Sequence, residues 1–193
     1  MISATVQAQT RYELPVGKGV VIWKGGAIGN GHEGTIKIKS GYVVLNADMT
    51  VARGEFELDM NTIRAKDTEG PEDSNLDTHL KSEDFFSVAK YPSAYFTVLR
   101  SKSRGIAAQP DQLVVDGLLM VCGISNPVSV WTSVKQSGKM VNIKGEFTIE
   151  RTRWGITYKA KTLFSSVKDD LIANEITIAY DLQLVLAAGP GAK

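Results

Sequence analysis

Few side chains in this sequence have chemistry that goes beyond packing. The histidines are His32 and His79, far apart in the chain, and Cys122 is the single cysteine. A structural zinc site draws on three or four nitrogen and sulfur ligands, commonly in closely spaced pairs, and this set lacks that spacing. The run Gly25-Gly26-Ala27-Ile28-Gly29 lies between two strand-like segments and opens no helix, so it lacks the context of a phosphate-binding loop. What remains is recognition chemistry. His32 and His79, with the cations Arg64, Lys81, Arg151 and Arg153, could gather at a mouth and meet a polar or anionic headgroup through charge-assisted hydrogen bonds. The competing reading for each is ordinary solvated charge or loop structure. An enzyme using His32 or His79 as acid or base is the alternative from another class.

Almost every other segment reads as strand. In residues 55–61, Phe56, Leu58 and Met60 share one face while Glu55, Glu57 and Asp59 share the other, the alternation of a half-buried strand. The same period runs through 141–150, where Gly145 interrupts the apolar face and suggests a bend or bulge, and through 176–186. Residues 12–23, 35–39, 42–50, 94–102 and 128–134 complete the set, with turns at Gly25-Gly26, Gly29-Asn30-Gly31, Gly41, 105–111 and Ser137-Gly138-Lys139. Residues 113–122 are apolar on both faces, which predicts burial on the outer side as well, by a helix or a partner subunit. Cys122, at the end of that run, reads as a small buried hydrophobe.

One stretch breaks the pattern. Leu76 and Leu80 are four apart, Ser82 reads as an N-cap, and Phe85-Phe86 close an apolar face before Pro92, which predicts one or two short helical turns over 75–96. The charged residues 64–75 before it read as a surface loop. Eight to ten strands, each dry on one face and joined by short turns, close most simply into an antiparallel up-and-down barrel. The aromatic plug then covers either a filled core or a cavity. The inward aromatics Trp23, Phe56, Phe85, Phe86, Phe96, Trp131, Phe147, Trp154 and Tyr180 are therefore packed core or tunnel wall, and periodicity does not distinguish the two.

The chain has 193 residues, 22 basic and 21 acidic, for a formal charge of +1. Such mixed charge gives no global field to recruit nucleic acid, so a partner is chosen by shape or apolarity. No run reaches the roughly 18 apolar residues of a membrane-spanning helix. Residues 1–9 read as the remnant of a secretory signal or a leader, 10–188 as one domain and 189–193 as a flexible tail. The leader favours a periplasmic or secreted protein, with a cytoplasmic one as the alternative.

Asp77, His79, Leu80, Ser82, Asp84, Phe85, Phe86, Val88, Tyr91, Pro92 and Phe96 together resemble the hallmark segment of the YceI-like family of lipocalin-like polyisoprenoid binders. Gly123-Ile124-Ser125-Asn126-Pro127-Val128 is similar to that family's G-[IV]-[ST]-x-P-V turn, and Arg151 to Ile156 to its R-x-x-[FWY]-G-[IL] segment. Two features depart from the pattern: the acidic stretch 67–75 is longer, and Cys122 stands where a polar or branched residue is expected. The resemblance implies a lipocalin-like all-β barrel of about eight strands with one or two short helices and an elongated internal cavity. It further implies a non-enzymatic role in transporting or storing a long-chain amphiphile, polyisoprenoid or quinone-like. The ligand contacts then expected are Trp23, His32, Phe56, His79, Phe85, Phe86, Phe96, Phe147, Arg151, Trp154 and Tyr180. No cofactor beyond a bound polyisoprenoid or fatty lipid is expected, and no metal. The expected partners are that lipid, a transiently touched membrane and a second copy of the chain in a homodimer. A homodimeric interaction module with a filled core, joined through 113–122, is the remaining alternative.

Overall fold

The computed structural model describes residues 9–27, 30–66, 71–105, 109, 111–160 and 172–188. The leader expected over 1–9, except Gln9, and the tail over 189–193 lie outside them.

The strands are β1 (Thr10–Glu13), β2 (Gly19–Ala27), β3 (Asn30–Leu45), β4 (Val51–Ala65), β5 (Ser93–Ser103), β6 (Gln112–Val121), β7 (Ile124–Ser137), β8 (Met140–Glu150) and β9 (Glu175–Leu186). They pair antiparallel in the order β3-β2-β9-β8-β7-β6-β5-β4, and β4 returns to β3, which closes an eight-stranded barrel. The short β1 pairs with both β3 and β9, so it continues β2 in the same slot. Between them, residues 14–18 loop outward around Gly17, whose φ of 74° is a conformation that side chains resist. The strand expected over 12–23 is therefore two pieces.

Alternation sorts the wall. Along β6, Leu113, Val115, Leu119 and Val121 are buried while Val114, Asp116, Leu118 and Met120 are half-buried outside. The strand is followed by a two-residue turn, Cys122-Gly123, with φ of 50° and 73°, suited to a hairpin that keeps the strand twist. Cys122 is thus a half-buried turn residue rather than a strand hydrophobe. Its thiol donates to the Phe86 carbonyl at 3.4 Å, and burial pushes its pKa up.

Register corrects two glycine readings. Gly41 is no turn, because β3 runs through it; it faces Phe56, whose ring lies where a Cβ would be. Gly145 makes no bulge, since β8 pairs continuously with β7 and β9 on both sides of it; there a Cβ would overlap the Tyr180 hydroxyl. The barrel bends elsewhere, at irregularities in the β3–β4 ladder around residues 35–40 and 44–45 and in the β5–β6 ladder at Val98/Arg100. Pro127 sits inside β7 opposite Leu118, so the strand extends to both sides of it. Gly25 and Gly26 likewise belong to β2.

The helix also begins earlier than expected. α1 (Pro71–Lys81) takes in residues 71–75 of the stretch read as a loop, and Ser82 follows its last turn, donating its hydroxyl to the His79 carbonyl at 2.7 Å. Phe85 and Phe86 lie in the turns after it. Asp77 anchors α1 over the end of β4 by accepting the Ala65 amide at 2.7 Å. At the opposite end of the barrel, Tyr12, Leu45, Val134, Val141 and Leu184 fill the interior, with Gln136 donating to the Tyr12 hydroxyl at 2.9 Å.

Candidate functional site: the barrel interior

Between the packed end and α1 the barrel is hollow. A lower space of about 90 Å³ is bounded by side chains such as Phe56, Phe96, Phe147 and Leu182, and among the described residues its wall is hydrocarbon except for Thr132 and Tyr180. An upper space of about 230 Å³ lies beneath α1 and the turns after it. Val21, Leu58, Leu119 and Ile178 line both, so the two spaces adjoin one another. Among the described residues, the side chains of the upper wall that carry polar atoms are Trp23, His32, His79 and Arg151.

The roof is an aromatic cluster. The His79 ring meets Phe85 edge-on at 5.0 Å and Tyr158 at 4.7 Å, and Phe85 lies 6.2 Å from Phe86. His79 Nδ1 stands 4.0 Å from the Asp84 carboxylate. Backbone bonds fold the chain after α1 into place: Phe86 N–H to Leu80 O at 3.1 Å and Val88 N–H to Lys81 O at 3.0 Å. The roof is therefore tied locally, with Cys122 adding a weak hold from the β6–β7 turn.

Arg151 is fully buried, at 0% exposure, at the start of the 3-10 turn Arg151–Trp154. Its Nε donates to Ala173 O at 3.0 Å, its Nη1 to Ile156 O at 2.8 Å and its Nη2 to Ile172 O at 3.2 Å. The Phe85 ring stands 5.7 Å from its Cζ, and burial lowers its pKa from the ordinary arginine value. The guanidinium ties together the two described ends of the β8–β9 connection at the upper wall.

Of the residues expected to contact a ligand, Trp23, His32, His79, Phe85, Phe86 and Arg151 line the upper space. Phe56, Phe96, Phe147 and Tyr180 line the lower one. Trp154 lines neither. It is 1% exposed and donates its indole N–H to Leu119 O at 2.9 Å, tying the 3-10 turn to β6. Trp131 is a correction as well: 60% exposed, it lies on the outer wall under the Arg104 guanidinium, 4.3 Å from its ring. Arg64 and Arg153 are exposed and Lys81 is half-buried, all three outside the cavity wall. Val21, Leu58, Leu119 and Ile178 border both spaces and are not among the expected contacts, although the alternation around Phe56 and Tyr180 places Leu58 and Ile178 inside. Thr132, inward between Val130 and Val134, carried the same signal.

Tyr180 supplies a pH prediction. Burial pushes its phenol up to about 12, an effect that the nearby Thr132 hydroxyl only partly offsets. A raised folded-state value favours the native state below the ordinary tyrosine pKa of about 10, and that stability is lost as pH rises to about 12. Wild type is expected to lose about 2–3 kcal/mol more than Tyr180→Phe over that interval. Denaturant titrations of both proteins at each end of the interval check it; parallel pH dependence would contradict it.

A closed antiparallel barrel with an apolar interior, plugged at one end and roofed by a helix and aromatic turns at the other, is a lipocalin-like fold. The YceI-like domain pattern matches residues 20–184, and the chain belongs to that family. Among solved structures, BcnA of Burkholderia cenocepacia superposes with a TM-score of 0.69 at 20% identity, over 88% of this chain and 98% of that one. A polyisoprenoid-binding domain from Saccharophagus degradans, implicated in plant cell wall breakdown, aligns over 93% of this chain and all of its own, with a TM-score of 0.62 and 10% identity. A Campylobacter jejuni YceI protein aligns over 72% of this chain and 74% of its own, at 0.55 and 16%. At these identities the likeness is one of fold. No curated protein matches the chain.

Proposed function

We propose that the protein is a non-enzymatic container for a long-chain amphiphile, polyisoprenoid or quinone-like. The observation that carries this reading is that two apolar spaces adjoin along the barrel, with His32, His79 and Arg151, among the described residues, lining the one at the roofed end. The chain of the ligand lies along the barrel axis and its polar head lies under α1. The polyisoprenoid-binding description of the Saccharophagus domain, a barrel of the same fold, supports the same ligand class. Burying an alkyl chain from water gains about 0.8 kcal/mol per methylene, but a membrane is already dry, so exchange between bilayer and barrel is near neutral. That balance suits a carrier or reservoir that touches membranes briefly and crosses an aqueous compartment, the periplasm or the cell exterior. Self-association fits the half-buried outer face of β6, where Val114, Leu118 and Met120 adjoin exposed Trp131. Sedimentation velocity reads a dimer mass if so; a monomer at high concentration removes the dimer.

Bromine on an alkyl chain quenches a nearby indole. Of the three tryptophans, Trp23 faces the upper space, Trp131 lies outside the barrel and Trp154 is buried away from both spaces. Mid-chain brominated fatty acid is expected to quench wild type and Trp131→Phe but not Trp23→Phe. Quenching that survives in Trp23→Phe, or none in wild type, would overturn the reading.

A further inference from the structure

Among the described residues, no aspartate or glutamate lines the upper space, yet Arg151 places a positive charge on its wall. That charge is fully buried, and its hydrogen bonds go to backbone carbonyls of Ile156, Ile172 and Ala173. Among the described residues no carboxylate pairs with it. Carbonyl dipoles ease the burial of a cation but leave its net charge in place, and a buried ion without a counter-ion is costly. In a dry interior such a charge is weakly screened, so it attracts an anion without touching it.

Trp23 is an independent observation on the same wall. It is 8% exposed, it lines the upper space, and its indole N–H has no hydrogen-bond partner. The ring lies across Gly34 of β3, where a Cβ would stand 2.4 Å from the indole carbons Cε2 and Cζ2. A phenylalanine ring would cover that wall without leaving a donor unmatched. Indole donates only, so its complement is an oxygen that accepts. An unpaired cation and an unmatched donor on one wall call for the same partner, an oxygen that carries negative charge.

We infer that the upper space selects amphiphiles whose head is an oxyanion, a carboxylate or a phosphate, with the Trp23 N–H donating to a head oxygen and the field of Arg151 offsetting the charge. This rests on the container reading above and narrows it. A quinone or an alcohol on the same chain offers the oxygen without the charge.

The test uses sixteen-carbon chains that differ at the head: hexadecanoate, hexadecyl phosphate, hexadecanol and hexadecylamine. Each is radiolabelled and bound to the full chain by equilibrium dialysis below its micelle-forming concentration. The better of the two anions is expected to bind roughly tenfold more tightly than hexadecanol, and hexadecylamine more weakly than either. The stronger anion tells carboxylate from phosphate, and a preference for either supports the proposal. Trp23→Phe keeps a ring on the wall and removes the donor, so it is expected to lose roughly tenfold in affinity for that anion and far less for hexadecanol. Carbon-13 NMR of hexadecanoic acid labelled at the carboxyl gives a readout on wild type alone. A dry wall by itself raises the pKa of a bound carboxyl, whereas a nearby cation holds it below the ordinary carboxylic acid value, which is the result expected. Equal affinity for the anions and hexadecanol, or a bound carboxyl that titrates above the ordinary value, would overturn the proposal and leave the container reading standing. Unchanged anion affinity in Trp23→Phe would overturn the role of the indole. Failure of every chain to bind wild type would bring down the container reading itself.

Discussion

Arg151→Met is expected to lower stability by about 3–5 kcal/mol. The side chain is fully buried, and its three donors hold the carbonyls of Ile156, Ile172 and Ala173. Methionine fills much of the same volume, so the change isolates the guanidinium from simple cavity formation. Each carbonyl left buried without a donor costs about 1–3 kcal/mol. Against that stands the relief of no longer burying a charge, which in other proteins makes removal of a whole ion pair neutral. Here only the donor is removed and the acceptors stay, so the loss dominates. Arg151→Lys keeps the charge but cannot reach three divergent carbonyls with one ammonium, and should fall between the two. Urea denaturation of the three proteins reads the effect; a methionine variant within about 1 kcal/mol of wild type would show that the carbonyls find other partners.

Leu58→Trp is expected to split the tunnel. Leu58 borders both spaces, on β4 opposite Ile38 and Ala94. An indole there narrows the passage, at an overpacking cost of about 1–3 kcal/mol that the free space moderates. Chains short enough to stay under the roof keep their affinity. Longer ones lose the methylenes that would enter the lower space, at about 0.8 kcal/mol each in water, so excluding about four costs roughly a hundredfold. Wild-type affinity should therefore climb with chain length well beyond the point where the variant levels off. Superimposable length curves would mean that the ligand never passes Leu58.

Much of the barrel is legible in the sequence because strand alternation is local. Phe56, Leu58 and Met60 against Glu55, Glu57 and Asp59, and the run 176–186, state the inward face without reference to any neighbour. The glycines are different. Gly41 and Gly145 read as turn and bulge because glycine's backbone freedom is a local property, whereas here each makes room for an aromatic ring on the next strand. Register is non-local, and no spacing in the sequence shows that Gly145 faces Tyr180. Trp131 was misplaced although its signal was present: Val130, Thr132 and Val134 fix the inward parity of β7, and Trp131 falls on the other face whatever its size. Trp154 gave no such signal, since a 3-10 turn of four residues has no useful period. The helix start is readable from Gly70-Pro71 followed by Glu72 and Asp73, a proline-and-acid opening upstream of Ser82. In the candidate site the aromatic residues are visible, and the polar detail is not: that Arg151 serves backbone carbonyls and that the Tyr180 hydroxyl lies over Gly145 are facts of contact between segments distant in sequence.

Native mass spectrometry of the freshly purified chain, followed by organic extraction, tests the central claim most directly. A hollow barrel of this shape predicts a discrete added mass that extracts as a single class of long-chain lipid and rebinds to the stripped protein. A bare polypeptide mass that stays bare after incubation with polyprenyl, quinone and fatty lipids would contradict it.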